Sequence, residues 1–345
     1  MTRAGRFVLA GSLLAGSLLP IADWIPGGHG LAHAGLTLES WFYGSLIAVG
    51  LGWILGTSWH RSDGFGGRGV RWATRWEAWA TSPAAPWIIA ILAGVLYLIT
   101  ASVVFGRLPI IIDDVVQVWQ ARSYAAGHLK LPSLGPVGYF GLPHVIDDGT
   151  WRYGQFPFGG PALLALGAPW HAEWVVDPVL AAIGVFAFAR WLPRVEPRPR
   201  VRLIALVLFA FAPFAMFISG TEMNHVGTGT CTLVALCALA AGFERGAGWS
   251  FAVGGFALGI AGTIRPVDAL AFVLPAGLWL TWRAVRGNGR WRDLMLYCAG
   301  GAIPAAALLW VDLQTTGSPF LLGYTVLWGK GHSLGFHAAP WGDPH

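Results

Sequence analysis

The sequence predicts an all-α polytopic membrane protein, and three observations carry that prediction. Only 11% of its 345 residues are charged, against roughly a quarter in soluble domains. Mean hydropathy is +0.58. Apolar runs long enough to cross a hydrocarbon core recur along the chain, separated by Arg-rich loops. This composition excludes a disordered chain and a soluble globular domain. The net charge of +5 does not indicate a nucleic-acid binder, because the basic residues lie between apolar spans rather than in one compact basic domain.

Nine spans are predicted: Phe7 to Ile21, Leu38 to Trp59, Pro86 to Phe105, Val175 to Leu192, Val201 to Gly220, Val226 to Phe243, Ser250 to Ile264, Val267 to Trp282 and Leu294 to Val311. The short seventh and eighth spans form a hairpin broken around Arg265. For the first span a signal peptide competes, since Arg3 and Arg6 make a basic start and Ala32-His33-Ala34 imitates a cleavage site. That A-x-A lies well beyond the apolar run and the chain continues into further spans, so a transmembrane helix is preferred. The stretch Gly160 to Trp170 is too short to cross and has Pro161 and Pro169 at its ends, so it is expected to be re-entrant or interfacial. Cys231, Cys237 and Cys298 fall inside spans without ligand spacing and read as small buried hydrophobes. Two parts follow: residues 1–85, two N-terminal helices with a basic cytoplasmic loop, and residues 86–345, a transmembrane module with an outer loop at 106–160.

Orientation follows from the loops. With a cytoplasmic N-terminus, 16 of the 22 Lys and Arg residues fall inside, and 12 of the 17 Asp and Glu residues and nine of the ten His residues fall outside. Acid–base chemistry or metal binding is therefore expected on the outer side.

The outer loop between Phe105 and Pro161 is rich in aromatic residues and is expected to be ordered. Within it Asp113 and Asp114 precede Val115 to Ala126, where Asp113, Gln117, Gln120 and Tyr124 share one helical face, with Val115, Val118, Trp119 and Ala126 as apolar cover. The pattern predicts an amphipathic helix on the outer interface. The acidic pair has two readings. Asp114 with Gln117 fits a capping box; alternatively, two carboxylates at a cavity mouth can take a proton from a hydroxyl nucleophile or hold a divalent cation. Adjacent residues make a poor complete metal site, so the cation is optional. Asp147-Asp148-Gly149 reads as a turn.

Order and spacing of further motifs carry a resemblance. Asp113-Asp114 is followed by Gln120-Ala121-Arg122, Ala126-Gly127, Tyr153-Gly154-Gln155-Phe156-Pro157, Gly160-Pro161-Ala162-Leu163-Leu164, Asp177-Pro178, Ser219-Gly220, Met223-Asn224-His225, Thr263-Ile264-Arg265-Pro266 and Thr316-Gly317-Ser318-Pro319. Over about Pro86 to His345 this resembles the GT-C membrane glycosyltransferases, and within them the bacterial relatives of protein O-mannosyltransferases and of the lipid A aminoarabinose transferase. The resemblance implies a GT-C-like helix bundle whose first outer loop is catalytic. It implies an inverting transferase of cell-envelope glycosylation that moves a sugar from a polyprenyl-phosphate donor to a lipid, glycan or protein hydroxyl at the outer face of a bacterial inner membrane. Asp113 matches the family's proposed general base and Asp114 its acidic neighbour. Asp312 and Gln314 stand where relatives often carry Asn, and the chain stops at His345 without the further helices common in the family, so a C-terminally incomplete module is an alternative.

Residue chemistry gives the remaining expectations. Arg265, at the broken hairpin, suits bidentate phosphate contact; pairing with Asp268 or snorkelling is its bland alternative. Lys330 and His332, in a Gly-rich closing segment, are further donor-phosphate candidates, with an ordinary loop as alternative. Glu222, Asn224 and His225, with Tyr153 and Gln155, are expected to line the substrate cavity. A transporter or lipid flippase, built on the same broken helices, is the rival class; a non-catalytic assembly subunit is the third.

Overall fold

The computed structural model describes residue 79 and residues 81–329. The first two predicted spans, the cytoplasmic loop after them, Lys330 and His332 lie outside the described residues. The elements in order are α1 (Ala85–Ile99, continued by a π-helical turn Thr100–Val104), α2 (Ile112–Ala125), β1 (Leu131–Pro132), α3 (Val137–Phe140), β2 (Val145–Asp147), β3 (Trp151–Gly154), α4 (Gly159–Leu164), α5 (Glu173–Trp191), α6 (Pro199–Phe211), α7 (Pro213–Ile218), α8 (Asn224–Arg245), α9 (Gly248–Ile264), α10 (Pro266–Val285), α11 (Trp291–Thr316) and α12 (Gly323–Trp328). Among the described residues, four helical segments are long and apolar enough to cross a membrane: Ala85–Val104, Glu173–Arg194, Asn224–Arg245 and Trp291–Thr316. The shorter apolar α9 accompanies them. Large apolar side chains point outward from these helices, such as Ile91, Leu92 and Val103 on α1 and Leu278 on α10. A polytopic membrane protein accounts for a surface of this kind, since lipid covers it without cost.

Small residues decide which helices touch. Gly94 of α1 faces Ala182 of α5, where an added Cβ would lie 3.0 Å from the alanine methyl. The tightest approach is α9 on α11: a Cβ on Gly255 would sit 2.0 Å from the Tyr297 carbonyl, and one on Gly300 2.0 Å from that of Ala252. The two backbones therefore meet through reciprocal glycines, the device that membrane helices use when burial alone offers no driving force between them. Between α5 and α8, Thr230 donates to the Leu180 carbonyl at 2.8 Å and the Cys237 thiol to that of Ala187 at 3.1 Å. Half-buried Cys231 and Cys237 fit the expected small-hydrophobe role, whereas Cys298 is exposed on α11.

Two features correct the sequence expectations. Val201 to Gly220 is not one continuous helix. It breaks at Ala212, which is extended (ψ 137°), before Pro213, because proline has no N–H and its ring excludes helical geometry in the residue before it. The break strips the last α6 carbonyls of partners, and the Tyr97 hydroxyl of α1 donates to one of them, Ala210, at 2.6 Å. The segment between α1 and α4, moreover, carries strands beside its expected helix, where the expected fold class was all-α. It contains a three-stranded antiparallel sheet in the order β1-β3-β2. Its β2–β3 turn is the expected Asp147-Asp148-Gly149: Asp148 Oδ1 accepts from the backbone N–H groups of Thr150 and Trp151.

The hairpin around Arg265 is present. Arg265 is non-helical, and Pro266 starts α10, where a missing N–H costs nothing. Gly160 to Trp170 forms α4 and a 3₁₀ turn, Ala168–Trp170. It buries Gly160, Pro161 and Leu164 while leaving Leu166 and Trp170 exposed.

Candidate functional site

The site lies at the end of the bundle where α5, α8 and α10 begin and α9 and α11 finish. There α2 lies against the helix ends. Ile111 is its N-cap and makes no side-chain cap, with Asp113 and Asp114 in the first turn. Asp114 Oδ2 accepts from the Ile110 backbone N–H at 3.4 Å, so it reaches back from the third helical position rather than capping as the first member of a box. The amphipathic reading of α2 is reversed in one respect. Gln117 and Gln120, from the expected polar face, are buried, as is Asp114, and Val115, expected as apolar cover, is exposed. The polar face turns inward because other buried polar groups await it there, while lipid or the interface can cover Val115.

Asp113 and Asp114 meet different surroundings. Asp113 stays one-third exposed and lies 3.3 Å from His144 Nε2. His144 is reached through a directional chain. Trp328 Nε1–H donates to Gln155 Oε1 at 2.6 Å, so the Gln155 amide nitrogen faces His144 Nδ1 at 2.7 Å and donates to it. That leaves the proton of a neutral imidazole on Nε2, directed at Asp113 Oδ1. His144 holds a left-handed backbone, φ 64°, a conformation that costs about 1 kcal/mol or more in a non-glycine residue and persists only where its surroundings hold it. Close packing helps: Gly323 brings α12 against the Gln155 backbone, where a Cβ would lie 2.6 Å from the carbonyl oxygen.

Asp114 belongs to a second, dry group. It is fully buried, Glu222 is 3% exposed and Asp177 5% exposed. Burial pushes the Asp114 carboxyl up to about 6 against the lowering effect of its backbone contacts. Burial, and then the Asp114 charge, push Glu222 up to about 7. Asp177 senses both carboxylates. Gln117 and Asn224 complete this cluster, and glycine makes room for it: a Cβ on Gly160 would lie 1.9 Å from Asn224 Oδ1 and 3.0 Å from Gln117 Oε1. Among the described residues, Asp114 Oδ1, Gln117 Oε1, Glu222 Oε2 and Asn224 Oδ1 have no hydrogen-bond partner. Three adjacent carboxyls in a dry pocket cannot all be charged, so the cluster retains protons near neutrality. Among the described residues no group of three His, Cys, Asp or Glu side chains is placed to hold a metal ion.

Arg265 makes both the expected pairing and another. Its Nε donates to Asp268 and its Nη1 meets His225 Nε2 at 2.9 Å. Asp113 and Arg265 are both close enough to Tyr324 of α12 to act on its phenol electrostatically. Burial pushes that phenol up to about 12, with the Asp113 carboxylate adding to the shift and Arg265 opposing it. Beside this group a cavity of about 680 Å³ runs between the helices. His225 and Asp268 stand in its wall, and the rest is largely apolar, including Tyr97, Phe209, Val226, Leu236 and Phe272.

Of the sequence-predicted residues, Asp113, Asp114, Glu222, Asn224, His225, Arg265 and Gln155 are thus brought to one end of the bundle. Of the residues expected to line the substrate cavity, His225 stands in the wall of the large cavity, Glu222 and Asn224 line a small pocket with Gln117 and Asp177, and Gln155 and Tyr153 line neither, Tyr153 being buried in β3 within reach of Asp148 of the hairpin turn. Sequence reasoning missed His144, Trp328, Tyr324 and Gln117 as members of the site. The lone His after Leu142-Pro143 was the one available signal. Asp312 also comes to this end, where its charge adds to the burial that raises Tyr124. Comparison of the chain with protein-family models, curated proteins and solved structures finds no match in any of the three.

Proposed function

We propose that the chain is a membrane glycosyltransferase of GT-C type, moving a sugar from a polyprenyl-phosphate donor to a lipid, glycan or protein hydroxyl. The observation that carries this reading is one juxtaposition: a His-held carboxylate, Asp113, and a His-held guanidinium, Arg265, both within electrostatic reach of Tyr324, beside a largely apolar cavity. A polyprenyl-phosphate sugar has matching parts, with a tail for the cavity, a phosphate for the cation and a reacting carbon between phosphate and base.

Asp113 takes the proton of the acceptor hydroxyl as its oxygen bonds to the anomeric carbon. The bond from that carbon to the phosphate oxygen breaks, and the polyprenyl phosphate leaves with the electron pair. His144 donates through Nε2 to Oδ1 and so keeps Oδ2 the proton-accepting oxygen. Arg265 uses donors on Nε and Nη1 for Asp268 and His225, and those left on a five-donor guanidinium meet the phosphate charge as it develops. Lys330 and His332 are proposed as further cations for the same phosphate. A divalent cation is optional. With the basic end toward the cytoplasm, the site faces outward from a bacterial inner membrane.

Sugar transfer from a panel of radiolabelled polyprenyl-phosphate sugars, measured for the full chain and for Asp113→Asn of verified folding, tests the reading. Loss of transfer in the variant alone supports it; equal transfer by both removes Asp113 from the chemistry. The buried carboxyls Asp114, Asp177 and Glu222 favour a second reading, a proton-coupled carrier. That reading gains if neither protein transfers sugar while reconstituted vesicles move polyprenyl-phosphate sugar across the bilayer.

A further inference from the structure

The end of the bundle opposite the carboxylates carries a second cavity, of about 630 Å³. Its walls have two characters. Arg190, Arg194, Arg202 and Arg245 reach it from the ends of α5 and α8 and the start of α6, while Ile89 and Leu206 form an apolar side. The first turn of α1, which no side chain caps, opens on the same space and adds the positive end of a helix dipole.

Local acids do not neutralise this concentration of charge. Glu244 is engaged by Arg194 through Nε at 2.6 Å and Nη2 at 3.1 Å. Glu196 is engaged by Arg198 through Nε and Nη2, both at 2.7 Å. Arg194 is further tied to the Arg190 carbonyl at 2.6 Å. Arg190, Arg202 and Arg245 make no ion pair among the described residues, although Arg202 is close enough to Glu196, and Arg245 to Glu244, to be felt by them. Three cations from three helices thus converge on one concavity whose other wall continues into the apolar surface of α1 and α6.

We propose that this cavity binds the headgroup of an anionic glycerophospholipid. The phosphate sits among Arg190, Arg202, Arg245 and the α1 N-terminus, and the first acyl methylenes lie on Ile89 and Leu206. The apolar wall selects a lipid over a free phosphate, and the cationic wall selects an anionic headgroup over a zwitterionic one. Arg194 is committed to the Arg190 carbonyl and Glu244 and is not among the phosphate contacts. The site is independent of the reaction assigned to the carboxylate end.

Native mass spectrometry of the detergent-released full chain, titrated with phosphatidylglycerol or phosphatidylcholine, reads the proposal. The chain is expected to take up one phosphatidylglycerol in preference to phosphatidylcholine. The variant Arg190→Ala/Arg202→Ala/Arg245→Ala is expected to bind it about 100-fold more weakly, the product of about five-fold per arginine. The charge-conserving variant Arg190→Lys/Arg202→Lys/Arg245→Lys keeps most of the preference and shows that the loss is not misfolding. Equal binding of both lipids by the native chain, or equal phosphatidylglycerol affinity in native chain and Ala variant, overturns the proposal. So does displacement of the lipid by millimolar inorganic phosphate, which would leave a simple anion site.

Discussion

Carboxylates behave in opposite ways at the two ends of the bundle. At the basic end Glu196 is held down to about 2, chiefly by the side chain and backbone N–H of Arg198, and its surroundings are open. At the other end Asp114 and Glu222 are pushed up to about 6 and about 7, chiefly by burial. The same chemical group is a settled anion in one place and a proton holder in the other. The difference is desolvation without a compensating cation.

The largest expected effect sharpens the roles within the chamber. Asp113→Asn should lower transfer by about 100-fold or more, the range for losing a general base. His144→Ala should lower it less and act mainly on kcat. Because His144 serves only through Asp113, the double variant should be no slower than Asp113→Asn alone. Additive losses in kcat measurements would separate the two residues.

Glu222→Gln tests the dry cluster. For native Glu222 the folded-state value is about 7 and the ordinary value 4.5. Folding therefore favours the protonated form, and native stability should fall as pH rises from about 4.5 to about 7. The difference corresponds to about 3 kcal/mol. The variant should be more stable than the native chain above pH 7 and show a flatter pH dependence in thermal unfolding. An unchanged slope would mean that Glu222 is hydrated.

Smaller effects are expected from packing. Gly255→Val places a branched side chain against the Tyr297 carbonyl and should cost about 1–3 kcal/mol, read as a lowered unfolding midpoint. Tyr97→Phe leaves the Ala210 carbonyl at the α6 break without its hydroxyl donor and should cost about 1 kcal/mol. If it is neutral, the freed carbonyl finds another partner.

Legibility in the sequence followed range of interaction. Long apolar runs such as Trp291–Thr316, the Arg265-Pro266 hairpin and the Asp148 turn depend on neighbours in the chain and were readable. The break at Ala212 was hidden inside an apolar run: composition identifies what can sit in lipid, whereas Pro213 decides where the helix stops. The inward polar face of α2 was unreadable for a different reason. Gln117 and Gln120 look like surface residues until α5, α8 and the glycines of α4 and β3 are brought against them.

By itself, the sequence determined the membrane class, the alternation of charge between loops and the candidate carboxylates and cation, since these rest on composition and on spacing along one chain. Only the tertiary structure decided that Asp113 takes a histidine partner while Asp114 loses water altogether. Desolvation and hydrogen-bond direction depend on which segments meet, and here a glycine hairpin, a strained histidine and the segment ending at Trp328 meet from positions far apart in the chain.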